Sequence, residues 1–476
     1  MLHFRGQHGD EVRFSVTLTS GDVVVEGRAI EGRPIGRLAG LAFHAHDFAV
    51  ARGERTRKVT YASNGTRHVF TLAGRRDAAR LAYASCNGGE SEEAARGVPQ
   101  GRNAMWNDLL AAHARDPFHL LVMGGDQIYA DAVWDEPAFK AWRAMGRGRW
   151  DAPFTDAMRE AAEGFFLRRY GEVWGEPEIA QAFASMPCLM MWDDHDISDG
   201  WGSYPDHERL APVAQGLFAV ARRAFALFQL GTDPDAPGWR DGSGGFADRA
   251  GRHFGWSGRL GPASIVAPDL RSERTLTRVM DVGHEAFAGG VAEPASRTLV
   301  VSSVPLVNVD LSTVERWMRA TPYKKYVDDL RDQWMSYAHE AEWVRVMDAL
   351  FAAPVPVTVL SGEIHLAAHG TATRDGRTID QLTASGIAHP PPPRLFGSLL
   401  DRFVRRPWRR GETELAMHPL GETGRRYLAV RNWLEVEVAS DGSLAATVHA
   451  EGMGPVRLVP AGASATRPRH REMVDS

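Results

Sequence analysis

Phe118-His119-Leu120-Leu121-Val122-Met123 runs directly into Gly124-Gly125-Asp126-Gln127-Ile128-Tyr129. A short apolar run of this kind reads as a strand buried on both faces, and the polar cluster at its end stands where open α/β sheets hold ligands, outside the carboxyl ends of their strands. Five further short runs share the pattern, at residues 81–84, 188–192, 264–267, 298–301 and 355–360. Longer segments of helical periodicity separate them, which predicts a sheet covered by helices on both faces. Among these, residues 103–114 put Met105, Trp106, Leu109 and Leu110 on one face, and residues 217–230 and 333–351 are two more helices.

Outside this core the pattern changes. Val12, Phe14, Val16 and Leu18 alternate with polar neighbours, and short apolar pieces broken by glycine continue at residues 23–25 and 68–72, so residues 1–76 read as a small all-β module. Residues 77–460 then form the main domain and residues 461–476 a flexible tail. Residues 233–245, rich in Gly, Pro and Asp, read as a loop, Pro390 to Pro393 as a stiff extended stretch, and residues 428–438 and 444–449 as closing strands.

Composition narrows the class. With 55 basic against 60 acidic residues and a net charge of −5, the chain lacks the basic field of a bulk nucleic-acid binder. No apolar run approaches the ~18 residues of a membrane helix, and no signal-peptide core follows Met1, so a cytoplasmic location is the default expectation. Cys86 and Cys188 are too few for a disulfide framework. Each needs its own explanation, and Cys188, inside an apolar run, reads as core.

Four polar clusters follow four of the apolar runs: Ser85-Cys86-Asn87; Gly124 to Tyr129; Asp193-Asp194-His195-Asp196; and Ser361-Gly362-Glu363-Ile364-His365. Carboxylates, a thiol, a phenol and imidazoles converging on one edge repel one another and lose hydration unless cations relieve the cost. Two cations about 3.5–4 Å apart acidify a bound water and clamp the attacking and leaving oxygens of a phosphoryl transfer, so hydrolysis at phosphorus is the natural use. Taken singly, Cys86 and Tyr129 are ordinary buried residues, and the acids around His195 an ordinary turn or helix cap. Together, directly after strands, they favour function.

These clusters resemble those of the PhoD-like (alkaline phosphatase D-type) branch of the calcineurin-like metallophosphatases, relatives of the purple acid phosphatases. Gly125-Asp126-Gln127-Ile128-Tyr129 is similar to their Gly-Asp-x-x-Tyr, Trp192-Asp193-Asp194-His195-Asp196 to Trp-Asp-Asp-His-Glu/Asp, and Ser361 to His365 to Ser-Gly-Asp-x-His. Ala84-Ser85-Cys86 resembles the Ala-Ser-Cys that opens the domain, and Asp269 to Arg274 more loosely resembles Asp-x-Arg-x-Tyr-Arg. Glu363 stands where the family has Asp, and Glu273 where it has Tyr.

The resemblance implies a four-layer αββα sandwich behind the β module, and a phosphomonoesterase or phosphodiesterase acting on a small phosphate ester. It implies a ferric site of Asp126, Cys86, Tyr129 and His365 and a calcium site of Asp126, Asp194 and Glu363. A metal-held hydroxide would attack, with His195 as proton donor, oriented by Asp193 or Asp196. Asn87, Arg271 and His389 are candidate substrate contacts. Two other classes stay open: a non-catalytic metal-containing scaffold, and a nucleotide or phosphoanhydride hydrolase. Arg402, Arg405, Arg406, Arg409 and Arg410, interleaved with Phe403 and Trp408, read as a solvated amphipathic segment or as a contact for membrane phosphate.

Overall fold

The structure, a computed structural model, describes residues 1–89, 100–235, 252–310 and 331–460. The expected tail at 461–476 and most of the expected loop at 233–245 lie outside the described residues.

All six apolar runs are parallel strands in the interior of two large sheets. In the first, Ala79–Ala84, Leu120–Gly124 and Cys188–Met191 pair in that order, every residue buried. In the second, Ala263–Ala267, Arg297–Ser302, Val357–Ser361 and Arg377–Thr383 do the same, and the first three are buried throughout. Burial on both faces is why these strands read as continuous apolar runs rather than alternating ones.

Antiparallel strands extend both sheets. Asn432–Val438, Leu444–Ala450 and Val456–Leu458 close one edge of the first sheet, beyond Ala79–Ala84. At its other end Leu2–His8 pairs parallel to Cys188–Met191 and carries Glu11–Leu18, Leu41–Ala51 and Arg33–Leu38 outward. The N-terminal stretch is all β as expected, and four of its strands are hydrogen-bonded into the main sheet. The rest form a separate four-stranded sheet, in which Phe70 of Thr66–Leu72 packs against Phe14 with ring centroids 4.8 Å apart.

Helices cover the outer faces. Ala104–Arg115, Asp156–Trp174, Pro177–Ser185 and Pro212–Phe228 lie on the first sheet, and Gly283–Val291 and Glu340–Ala352 on the second. Between the sheets runs one continuous apolar core, crossed by the Trp256 indole, which donates to the Met190 carbonyl at 2.9 Å. The result is the four-layer α/β sandwich. The helix expected from residue 217 starts at Pro212, whose fixed φ suits a first turn. The helix expected from residue 333 starts only at Glu340, because Gln333 to Ser336 form a turn and the Ser336 hydroxyl accepts from Ala338 N–H.

The expected strand at 428–438 is two strands in different sheets. Tyr427–Leu428 pairs with Ala367–Arg374 in the second, and Asn432–Val438 with Ala79–Ala84 in the first. The Asn432 amide ties the crossing to the site: Oδ1 accepts from Ser385 N–H at 3.1 Å, and Nδ2 donates to the Ser385 carbonyl at 2.8 Å.

His119 shows how the core depends on pH. Its Nδ1 accepts from Arg80 N–H at 3.0 Å, and burial, aided by the Arg80 charge, pulls its pKa down to about 4. The unfolded chain takes up this proton below about pH 6.5 while the folded one resists it, so the stability His119 contributes is complete above that pH and is lost as pH falls toward 4. On the order of 2 kcal/mol should disappear between pH 7.5 and 5. Melting curves of the protein and of His119→Gln across this range test it; equal pH slopes would contradict the assignment.

Candidate metal centre

The polar clusters occupy the first turns after four strands whose carboxyl ends face one another across the two sheets. Cys86, Asp126, Tyr129, Glu363 and His365 all sit there with φ between 52° and 65°, five of the nine positive-φ non-glycine residues among those described. This left-handed backbone costs such residues about 1–3 kcal/mol each and persists only where surrounding structure imposes it.

Hydrogen bonds impose it here. The buried Asp196 carboxylate accepts from Asp126 N–H and Asp193 N–H, both 3.0 Å, on Oδ2, and from Gln127 N–H and Gln229 Nε2, both 2.9 Å, on Oδ1. It thereby fixes one strand tip relative to the next. Cys86 N–H donates to Gly125 O at 3.1 Å, His389 N–H to Cys86 O at 3.1 Å and His365 N–H to Ser385 Oγ at 2.9 Å, joining the remaining turns.

So held, Cys86, Asp126 and His365 bring one ligand atom each within 4.8 Å of one another, and Asp126, Asp193 and Asp194 form a second such group sharing Asp126. Cys86 Sγ lies 3.5 Å from Asp126 Oδ2, and Tyr129 Oη 3.2 Å from His365 Nε2. The Tyr129 ring stacks on His195 with centroids 4.5 Å apart, and His389 stacks on His365 at 3.4 Å. Asp126 Oδ1 and Asp193 Oδ2 are buried without a hydrogen-bond partner. Bare buried carboxylate oxygens beside a thiol, a phenol and an imidazole match the donor set of a metal centre.

Electrostatics point the same way. Burial, with the neighbouring Cys86, Asp193 and Asp194, pushes Asp126 well above the carboxylate range. Burial raises Asp196 to about 7, and raises Asp193 to about 6 despite Arg271. Glu363 is pushed up to about 8 by burial and by Asp332. For His195 burial lowers the pKa, but Asp194 and Asp131 outweigh it and the net direction is strongly upward.

Several side chains are allotted differently from expectation. The carboxylate on His195 is Asp131, whose Oδ2 lies 2.9 Å from Nδ1, and not Asp193 or Asp196. Asp193 is instead ion-paired to Arg271 Nε, and Asp196 is consumed by its four donors. Arg271 is fully buried, and it also pairs with Asp332 at 2.6 Å and Asp194 at 3.3 Å. Asn87 is buried, accepts from the Trp106 indole at 2.7 Å and donates to Gln127 O at 3.3 Å. Glu363 belongs to neither ligand group; Gln333 Nε2 donates to both its oxygens at 2.8 Å. The longer side chain ends on that amide.

His389 does lie at the centre, stacked on His365 and, at 5.4 Å, on Tyr129. Cys188 is core, and Trp201 is buried against Phe218. Sequence reasoning missed Asp131, Asp332 and Gln333. Asp131 had a signal, five residues past Asp126, whereas Asp332 and Gln333 follow no apolar run of the sequence and carry none.

A family model described as PhoD related phosphatase matches residues 50–327. An uncharacterized protein of Saccharomyces cerevisiae is 23% identical over an alignment covering 76% of this chain and 64% of that protein, so the chain spans less than two thirds of that relative's length. Among solved structures, PhoD superposes with a TM-score of 0.58 at 11% identity, covering 98% of this chain and 92% of that one. A purple acid phosphatase from yellow lupin (Lupinus luteus) seeds gives 0.51 at 11% identity, over 96% and 72%. At these identities the structural likeness is one of fold.

Gly125, at φ +107°, holds the turn in a conformation and a space that exclude a side chain: a Cβ there would meet Asp193 Cβ at 2.8 Å and Ser303 Cβ at 3.0 Å. Gly125→Ala should cost about 1–3 kcal/mol and displace Asp126. Urea unfolding tests it, and a variant of unchanged stability would show that the turn is not so constrained.

Proposed function

The chain belongs to the PhoD related phosphatases, and on that premise we propose that it is a metal-dependent phosphoesterase hydrolysing a monoester or diester of phosphoric acid. The observation that carries this reading is Asp126: a buried carboxylate shared by two ligand groups, one oxygen unpartnered, beside a histidine held by its own carboxylate. Cys86, Asp126, Tyr129 and His365 would hold one ion. Asp126 and Asp194 would hold the other, with Glu363 next to them. Thiolate and phenolate suit a ferric ion and the all-carboxylate set a calcium ion.

When bound, the ions supply Lewis-acid polarisation of the phosphoryl oxygens and acidify water. The protein's own part is to hold these ligands in place and to deliver a proton. His195 is the donor: Asp131 on Nδ1 fixes the ring's orientation, which directs Nε2 toward the leaving oxygen, and the Asp131 carboxylate favours the protonated ring. Tyr129 stacked beneath the imidazole limits its rotation. This gives His195 a task that a purely structural metal site does not require.

His195→Ala should lower kcat by about 10²–10⁴-fold on an alkyl phosphate and by much less on nitrophenyl phosphate, whose leaving group needs no proton. Equal losses on both would remove the proton-donor role. Asp126→Asn, or a chelator, should abolish turnover of both. Tyrosinate on ferric iron would give the active protein a visible charge-transfer band; a colourless, iron-free, fully active preparation overturns the metal identity and leaves the phosphoesterase reading standing.

A further inference from the structure

Immediately after the extended Pro390 to Pro393 stretch, the helix Arg394–Phe403 presents two apolar faces. The inner one consists of Gly397 and Leu400, both buried, with Gly397 close against Ala429. The outer one carries Leu395, Phe396, Leu399 and Phe403, which are 84, 46, 51 and 65% exposed. They are four of the eleven exposed large apolar side chains among the described residues, and the four form one helical stripe. Packing needs only the inner face, so the outer stripe is left for something else.

The rim of the stripe identifies the partner. Arg402, at the end of the helix, and Arg405 and Arg406, in the turn beyond it, are exposed, and no carboxylate of the described residues is ion-paired to them. The nearest acid on the helix, Asp401, is half-buried and accepts from Arg426 N–H at 2.7 Å. Arg409 leans toward its own hairpin, donating to Glu412 O at 3.0 Å, and Arg410 is buried with its guanidinium on the Ser336 carbonyl at 2.9 Å. The cationic edge is therefore Arg402, Arg405 and Arg406, narrower than the five arginines of the sequence.

We propose that this face docks on an anionic lipid membrane surface: the leucines and phenylalanines enter the acyl boundary while the three arginines meet headgroup phosphates. An acidic protein groove is the other partner a basic amphipathic helix suits, and it would leave the chain unbound to lipid vesicles. No helix of the described residues is long and apolar enough to cross a membrane. This docking is independent of the phosphoesterase reading.

Co-sedimentation of the full chain with vesicles of phosphatidylcholine alone, and of phosphatidylcholine mixed with phosphatidylserine, tests it. Binding should be confined to the anionic vesicles and weaken with salt. It should fall about fivefold for each arginine removed in the series Arg402→Gln, Arg405→Gln and Arg406→Gln, and be lost in Leu395→Ser/Phe403→Ser. All these positions are exposed, so melting temperatures should stay unchanged. Absence of binding, equal binding to both vesicles, or binding indifferent to the substitutions would overturn the proposal. So would self-association that the serine variant abolishes without any vesicle binding, which would assign the face to a second copy of the chain.

Discussion

One buried carboxylate sets the geometry on which the centre depends. Asp196 takes four N–H donors from three segments of the chain, so the turns after Leu120–Gly124 and Cys188–Met191 cannot shift independently. Charge-assisted bonds of this kind are roughly twice as strong as neutral ones. Their combined hold explains how several neighbouring ligand residues remain in left-handed backbone without a glycine among them.

The second constraint is repulsion. Asp126, Asp193, Asp194, Asp332 and Glu363 are gathered in a poorly hydrated interior, and Arg271 is the protein's own answer to part of that charge. It neutralises Asp193 and Asp332 and reaches Asp194, leaving Asp126 uncompensated. Arg274 supports the same Asp332 at 3.3 Å. The arginines settle the periphery, and the central carboxylate is the one left for the cation of the proposed centre.

Much of the fold was legible because strands buried on both faces leave continuous apolar runs, and their tips mark where polar residues gather. The clusters around Cys86, Asp126, His195 and His365 could thus be found by position alone. What could not be read was the direction of each side chain within a cluster. Asp194–Asp196 is a single 3-10 turn, which sends adjacent residues to different partners: Asp194 toward the centre, His195 to Asp131 and Asp196 into the loop backbone. Tertiary allotment of this kind has no periodicity to betray it. Residues 428–438 read as one strand, yet the polar pair Arg431-Asn432 interrupts their apolar residues just where the chain changes sheets.

That change of sheets governs how the molecule is made. Ala79–Ala84, which carries Cys86 at its tip, has Asn432–Val438 as its partner on one side, and Ser385 beside the thiol is held by Asn432. A strand emerging early from the ribosome therefore waits through some 350 residues of further synthesis for its neighbour. Such non-local pairing is slow to form and leaves an open edge meanwhile. Vectorial synthesis thus delivers a protein whose ligands are nearly all translated long before the centre can close.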